Sequence, residues 1–190
     1  MMINSAREAA EILMRQDDIL ILTHANPDGD TLGCGYALCR ALLSLGKKAK
    51  VSCSDEIPPK YSYLSAGIEE TEFEPKFIVA VDVADTKLLG KKNEELYCDK
   101  IDLCIDHHGS NRLFAKETLL NAKAAAACEI ILETVKALGA EVTQEIADCI
   151  YTGLSTDTGC FRYSNVTPVT MRMAADMIEA GARHLSLIHI

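Results

Sequence analysis

Ile19-Leu20-Ile21-Leu22, followed after Thr23 by His24-Ala25-Asn26-Pro27-Asp28-Gly29-Asp30, decides how this chain is read. The apolar run predicts a buried strand. Pro27 and Gly29 are read as forbidding a regular helix, so the backbone is expected to turn at the strand's end. One imidazole and two carboxylates, His24, Asp28 and Asp30, then fall within seven residues and can be aimed at one spot. Imidazole nitrogen and carboxylate oxygen suit Mn²⁺, Mg²⁺ or Zn²⁺. Taken alone, the stretch fits a solvated Asp/Gly-rich turn equally well.

Outward from that stretch, apolar and polar segments alternate. Helices are expected over residues 5–15, over 31–45 up to Gly46, over 124–138 up to Gly139, over 144–155 and over 168–180. A weak helix is expected over 61–65, behind Pro58-Pro59. Strands are expected at Ala49–Ser52, Phe77–Val81 and residues 101–105, and the stretch 113–120 leaves room for a short one. The alternation predicts an α/β fold: a mostly parallel sheet of about five strands with helices on both faces, in three Rossmann-like layers.

At 190 residues the chain suits one domain, read as residues 1–183. A hydrophobic fraction of 48% supports a core, and the absence of Trp with only 5% aromatics makes it aliphatic and Ala-rich. The net charge of −9 argues against duplex DNA as a partner, because phosphate neutralisation needs clustered Lys and Arg. It leaves room for short RNA or a small phosphorylated nucleotide. Eight cysteines occur without a CxxC pair, which argues against a thiolate zinc site. They read as buried, reduced thiols in a reducing compartment, hence a cytoplasmic protein. No signal peptide is expected, since residues 4–15 are amphipathic, and no apolar run reaches the ~18 residues of a membrane helix. Residues 184–190 lack charge and a cap. They read as a truncation or foreign tail, and their His184 and His189 as incidental.

Further acidic and imidazole residues follow the other expected elements. Asp82 and Asp85 end the Phe77–Val81 strand, Asp106, His107 and His108 end the 101–105 strand, and Asp157 follows the 144–155 helix. In a parallel α/β sheet, sites lie at the carboxyl ends of strands. Asp82 could instead cap the next helix, the less favoured reading, and Asp157 could be an N-cap or turn aspartate. Yet four segments delivering such groups to one edge would crowd unpaired carboxylates, a repulsion that cations relieve. Other chemistries find no support: GxGxxG, GxxxxGK[ST] and GxSxG are all missing.

Asp106-His107-His108, with His24-x-x-x-Asp28-x-Asp30, Val81-Asp82 and Thr156-Asp157-Thr158-Gly159, resembles the DHH phosphoesterase superfamily. Ser110-Asn111 and the Gly159–Asn165 stretch are similar to its oligoribonuclease and 3′-phosphoadenosine 5′-phosphate (PAP) phosphatase branch. The resemblance implies a hydrolase of phosphate esters with two divalent cations, Mn²⁺ first, with Mg²⁺ or Co²⁺ as alternatives. One cation would take His24, Asp28 and Asp82, and the other Asp30, Asp82, His107 and Asp157. Asp106 would orient the histidines, His108 would contact the scissile phosphate, and Ser110, Asn111 and Arg162 would bind substrate. Two such cations share and activate a water and clamp phosphoryl oxygens.

The resemblance also leaves room for a cyclic-dinucleotide phosphodiesterase or an inorganic pyrophosphatase of the same superfamily. The family's second, substrate-binding domain is not found in this sequence, so a domain that binds metal or nucleotide with little turnover is a further expectation, as is a homodimer. The run Ala124-Ala125-Ala126-Ala127 departs from the family in lacking a hydroxyl residue before Cys128-Glu129.

Overall fold

The computed structural model describes residues 1–69 and 71–184. The expectation of a foreign tail falls on residues 184–190, of which all but His184 lie outside the described residues. Among the described residues, six strands form one sheet: β1 (Met2–Ile3), β2 (Ile19–Leu22), β3 (Ala49–Ser52), β4 (Phe77–Val81), β5 (Leu103–Asp106) and β6 (Glu117–Leu120). Their order is β1-β6-β5-β4-β2-β3, and every pairing is parallel. The ambiguous stretch 113–120 thus contains a strand. The sixth strand, β1, is only two residues long, too short to leave a periodic signal, and is held by pairing with β6.

Among the described residues, six α-helices complete the fold: α1 (Ala6–Met14), α2 (Gly29–Ser44), α3 (Gly90–Tyr97), α4 (Ala127–Leu138), α5 (Gln144–Asp157) and α6 (Pro168–Glu179). Short 3₁₀ turns lie at Pro59–Leu64 and Thr86–Leu89. Successive strand side chains face opposite ways. Ile19, Ile21, Val79, Val81, Leu103 and Ile105 enter a large core shared with α1, α2, α4 and α5. Leu20, Leu22, Ile78, Ala80 and Cys104 enter a smaller one closed by Leu89 and Tyr97. Both faces are covered, but unequally.

The expected turn is present over residues 23–28, and the correction concerns only Gly29 and Asp30, which are helical. The helix α2 begins at Gly29, with Pro27 outside it, and Asp28 is its N-cap, accepting the Asp30 and Thr31 amides at 2.9 and 3.1 Å. Neither residue interrupts the helix interior, where they would break the bonding ladder. Gly29 is needed for space. A Cβ there would stand 2.5 Å from Thr156 Cγ2, and one at Gly33 would stand 2.4 Å from the Cys149 carbonyl oxygen. The α2 and α5 backbones therefore meet more closely than side chains allow.

Strand order reverses between β2 and β4, the place where a crevice opens at the carboxyl ends of a doubly wound sheet. Leu22 is opposite Ala80, and Val81 is opposite Ile105. His24, Asp82 and Asp106 consequently leave three adjacent strands at the same level.

Candidate metal centre

Asp82 sits where these strand ends converge. It is 3% exposed and holds φ at +57°, a left-handed conformation uncommon for a non-glycine residue. Its Oδ2 lies 3.6 Å from His24 Nε2, and its Oδ1 lies 3.6 Å from His107 Nε2 and 3.5 Å from His108 Nδ1. One carboxylate thereby divides its two oxygens between two groups. In the first, His24 Nε2 is also 3.7 Å from Asp28 Oδ1. In the second, His107 Nε2 is 3.3 Å from Asp157 Oδ2 and 3.9 Å from Asp30 Oδ2. Within each of the sets His24–Asp28–Asp82 and Asp30–His107–Asp157, one donor atom per residue lies within 4.8 Å of the others, a spacing able to hold a cation.

The imidazoles are aimed by the backbone. His24 Nδ1 is 2.7 Å from the Ala25 carbonyl oxygen, and His107 Nδ1 is 3.1 Å from that of Ala124. Occupying Nδ1 leaves Nε2 to face the carboxylates, as a metal-binding histidine requires. Adjacent His107 and His108 diverge, their rings meeting edge-on at 61°. Asp106 is fully buried behind them. Its Oδ1 accepts the His107 and His108 amides at 2.8 and 3.2 Å and approaches His108 Nδ1 at 2.8 Å, and its Oδ2 accepts the Asn111 amide at 2.7 Å.

Several supporting contacts around the site were not legible in the sequence. Thr31 takes the His24 amide at 3.2 Å and gives its hydroxyl to the Val81 carbonyl at 3.3 Å, tying the ends of β2 and β4 together. Asp30 accepts the Ala127 and Cys128 amides at 2.6 and 3.0 Å. It thus caps α4, whose own N-cap residue, Ala126, has no side chain able to do so. Asp85, and not Asp82, is the capping aspartate. It accepts the Lys87 amide and pairs with Arg112 at 2.7 Å. Asp157 is the last residue of α5.

Of the residues expected to touch substrate, His108 is 44% exposed at the rim, and Ser110 is exposed. Asn111 turns inward, donating to Asp106 and to the Val83 carbonyl. Exposed Arg162 donates to the Gly159 carbonyl at 2.9 Å. The cysteines are all free thiols, five of them buried and Cys160 exposed. Despite the absence of a CxxC pair, Cys34 and Cys128 lie side by side next to Asp30.

The electrostatics describe a centre short of positive charge. Burial disfavours a charged His24, but its contacts with Asp28 and Asp82 outweigh this and lift the imidazole to about 11. His107 is also raised: burial opposes this, while Asp157 and the charge of Asp30 overcome it. Burial pushes Asp82 up, and the charge of Asp28 adds to this against the pull of His24. Asp30 is pushed well up by burial and then by Asp82 and Asp157. Protons are retained where carboxylates crowd. Asp106 moves the other way: burial would raise it, but His108 and Asn111 hold it low. Asp82 Oδ1 and His107 Nε2 are buried without a hydrogen-bond partner. Such orphaned groups cost about 1–3 kcal/mol each unless something engages them. A divalent cation between them would engage both, so this donor set fits one.

Known proteins resemble this chain in sequence and in fold. The chain is 34% identical to the bifunctional oligoribonuclease and PAP phosphatase NrnA of Thermus thermophilus, over 93% of this chain and 55% of that protein. It is 26% identical to the protein of the same name from Bacillus subtilis, over 86% of this chain and 53% of that one. The chain thus spans about half the length of these curated relatives. An exopolyphosphatase-related protein from Bacteroides fragilis shares the fold with a TM-score of 0.85 at 21% identity, over 96% of this chain and 58% of that one. Residues 18–154 match the DHH family, N-terminal domain, and the chain belongs to that family.

Proposed function

We propose that this chain hydrolyses phosphate esters of short oligoribonucleotides, of 3′-phosphoadenosine 5′-phosphate, or of both, with two divalent cations, Mn²⁺ foremost. The observation that carries this reading is the Asp82 carboxylate, with one oxygen toward His24 and the other toward His107. His24, Asp28 and Asp82 would hold one cation. Asp30, Asp82, His107 and Asp157 would hold the other. When bound, the cations supply an activated water and neutralise phosphoryl charge.

The chain's own groups do the remaining work. Asp106 fixes His107 and His108 through their amides and orients the His108 ring at 2.8 Å. At 44% exposure, His108 would meet the scissile phosphate, to which a protonated imidazole gives a charge-assisted hydrogen bond. The match to the NrnA proteins favours short RNA and PAP over cyclic dinucleotides or pyrophosphate. Because this chain spans about half of those relatives, binding without efficient turnover is the competing reading.

Elemental analysis paired with phosphate release from PAP in Mn²⁺ tests both readings. About two cations per chain with turnover supports the proposal. Two cations without turnover moves the account to the competing reading. No uptake removes both.

A further inference from the structure

Asp30 presents its two oxygens to different surroundings. Oδ2 faces His107 Nε2 at 3.9 Å, within the centre already described. Oδ1 faces away from it, 3.7 Å from Cys34 Sγ. Cys34 lies one turn further along α2. Cys128, the second residue of α4, brings its Sγ within 3.5 Å of Cys34 Sγ. All three side chains are fully buried. One donor atom from each lies within 4.8 Å of the other two. A Cβ added at Gly153 would stand 2.3 Å from Cys128 Sγ and 2.6 Å from Asp30 Oδ1, so the bare α5 backbone forms the wall of this group.

A buried cysteine is ordinarily a small apolar filler. Here two thiols from different helices meet at a carboxylate, and their spacing is that of ligands around one ion. A tetrahedral cation with metal–sulfur bonds of about 2.3 Å and metal–oxygen bonds of about 2.0 Å sets S···S near about 3.8 Å and S···O near about 3.5 Å. The S···S and S···O distances of 3.5 and 3.7 Å lie within a few tenths of these values. Thiolates select soft cations, whereas the imidazole and carboxylate centre above suits harder ones.

We propose that Asp30, Cys34 and Cys128 form a site for a thiophilic divalent cation of the Zn²⁺ or Cd²⁺ class, separate from the centre around Asp82 but sharing Asp30 with it. Capture expels the two thiol protons to solvent and leaves the cation on two thiolates and one carboxylate oxygen, with no change of oxidation state. Engaging Asp30 Oδ1 from below draws part of the carboxylate's charge away from the centre that Oδ2 faces. A soft cation therefore inhibits any activity of the upper centre. Only this last consequence rests on the proposed function.

The test is titration of the whole chain with Cd²⁺ or Co²⁺ in a phosphine reductant, read by the thiolate-to-metal charge-transfer band in the ultraviolet. The expected result is one thiolate-bound cation per chain. The band disappears in Cys34→Ser and Cys128→Ser and persists in Cys160→Ser and Asp82→Asn. X-ray absorption on the Cd²⁺-loaded wild-type chain, which needs no variant to fold, is expected to count two sulfur neighbours. No band in the wild-type chain, no sulfur neighbours, or an undiminished band in a folded Cys34→Ser/Cys128→Ser double variant overturns the proposal. The band reports on this site whether or not Mn²⁺-dependent phosphate release is seen.

Discussion

The two ends of the sheet treat charge in opposite ways. At the amino edge, the residues just before β6, β5, β4 and β2 are Lys116, Asp102, Lys76 and Asp18, alternating in sign across the sheet. Lys116 meets Asp102 at 2.6 Å, and Lys76 meets Asp18 at 2.5 Å. At the carboxyl edge, Asp28, Asp30, Asp82, Asp106 and Asp157 face imidazoles and one another. Among the described residues, no Lys or Arg forms an ion pair with any of these five. The amino edge is neutralised by the fold itself. The carboxyl edge has no such Lys or Arg partners among the described residues, and its charge is what the proposed cations would neutralise.

The largest expected break in this contrast is Asp82→Ala. Removing the shared carboxylate should abolish or sharply weaken Mn²⁺ uptake, measured by calorimetry, while the cation-free protein keeps or gains thermal stability because like charges have been separated. Asp106→Asn touches no proposed cation and should act through the histidines, weakening cation affinity about 10- to 100-fold. Cations should stabilise the wild-type chain by roughly 2.7 kcal/mol at a hundred times Kd, a rise of about 5–10 °C that Asp82→Ala loses.

The raised His24 sharpens the comparison through pH. Its proton stabilises the cation-free fold fully below about 6.5, and this contribution is lost as pH rises through about 11. Cation capture must expel that proton, so cation affinity should rise over the same range. Melting curves from pH 6 upward, with and without Mn²⁺, should diverge with increasing pH, and parallel curves would remove the role given to His24. Gly33→Ala, whose Cβ would meet a backbone oxygen at 2.4 Å, should cost about 1–3 kcal/mol by denaturant unfolding. The smallest effect is expected at the amino edge. Asp18→Asn should lower the melting temperature by only about 1–3 °C and leave cation uptake unchanged.

Much of this was legible in the sequence because the signals were local. Each of β2, β4 and β5 is a short apolar run followed within two residues by His24, Asp82 or His107, and the strand-end rule carries these to one edge. Other features were not local. The α3 sequence Gly90–Tyr97 is nearly all polar, so no apolar face announces it, and it is fastened by buried Asn93 to Ser52. The cap that Asp30 provides to α4 joins residues 97 and 98 positions apart through backbone amides, which side-chain identity does not encode. The Cys34–Cys128 contact spans 94 positions. Asp28 does sit in the turn, but its role as the cap of α2 and the helical state of Gly29 and Asp30 were missed because Pro27 and Gly29 flank it. Those residues break a helix in its interior and are tolerated at its start.

The most direct test of a cation-seeking carboxyl edge is Mn²⁺ stoichiometry by elemental analysis after equilibrium dialysis, on the wild-type chain and on Asp82→Asn in parallel. Two ions per wild-type chain, with neither or only one weakly held in Asp82→Asn, is the predicted result. No ions in the wild-type chain, or two held equally well without the Asp82 carboxylate, would contradict it.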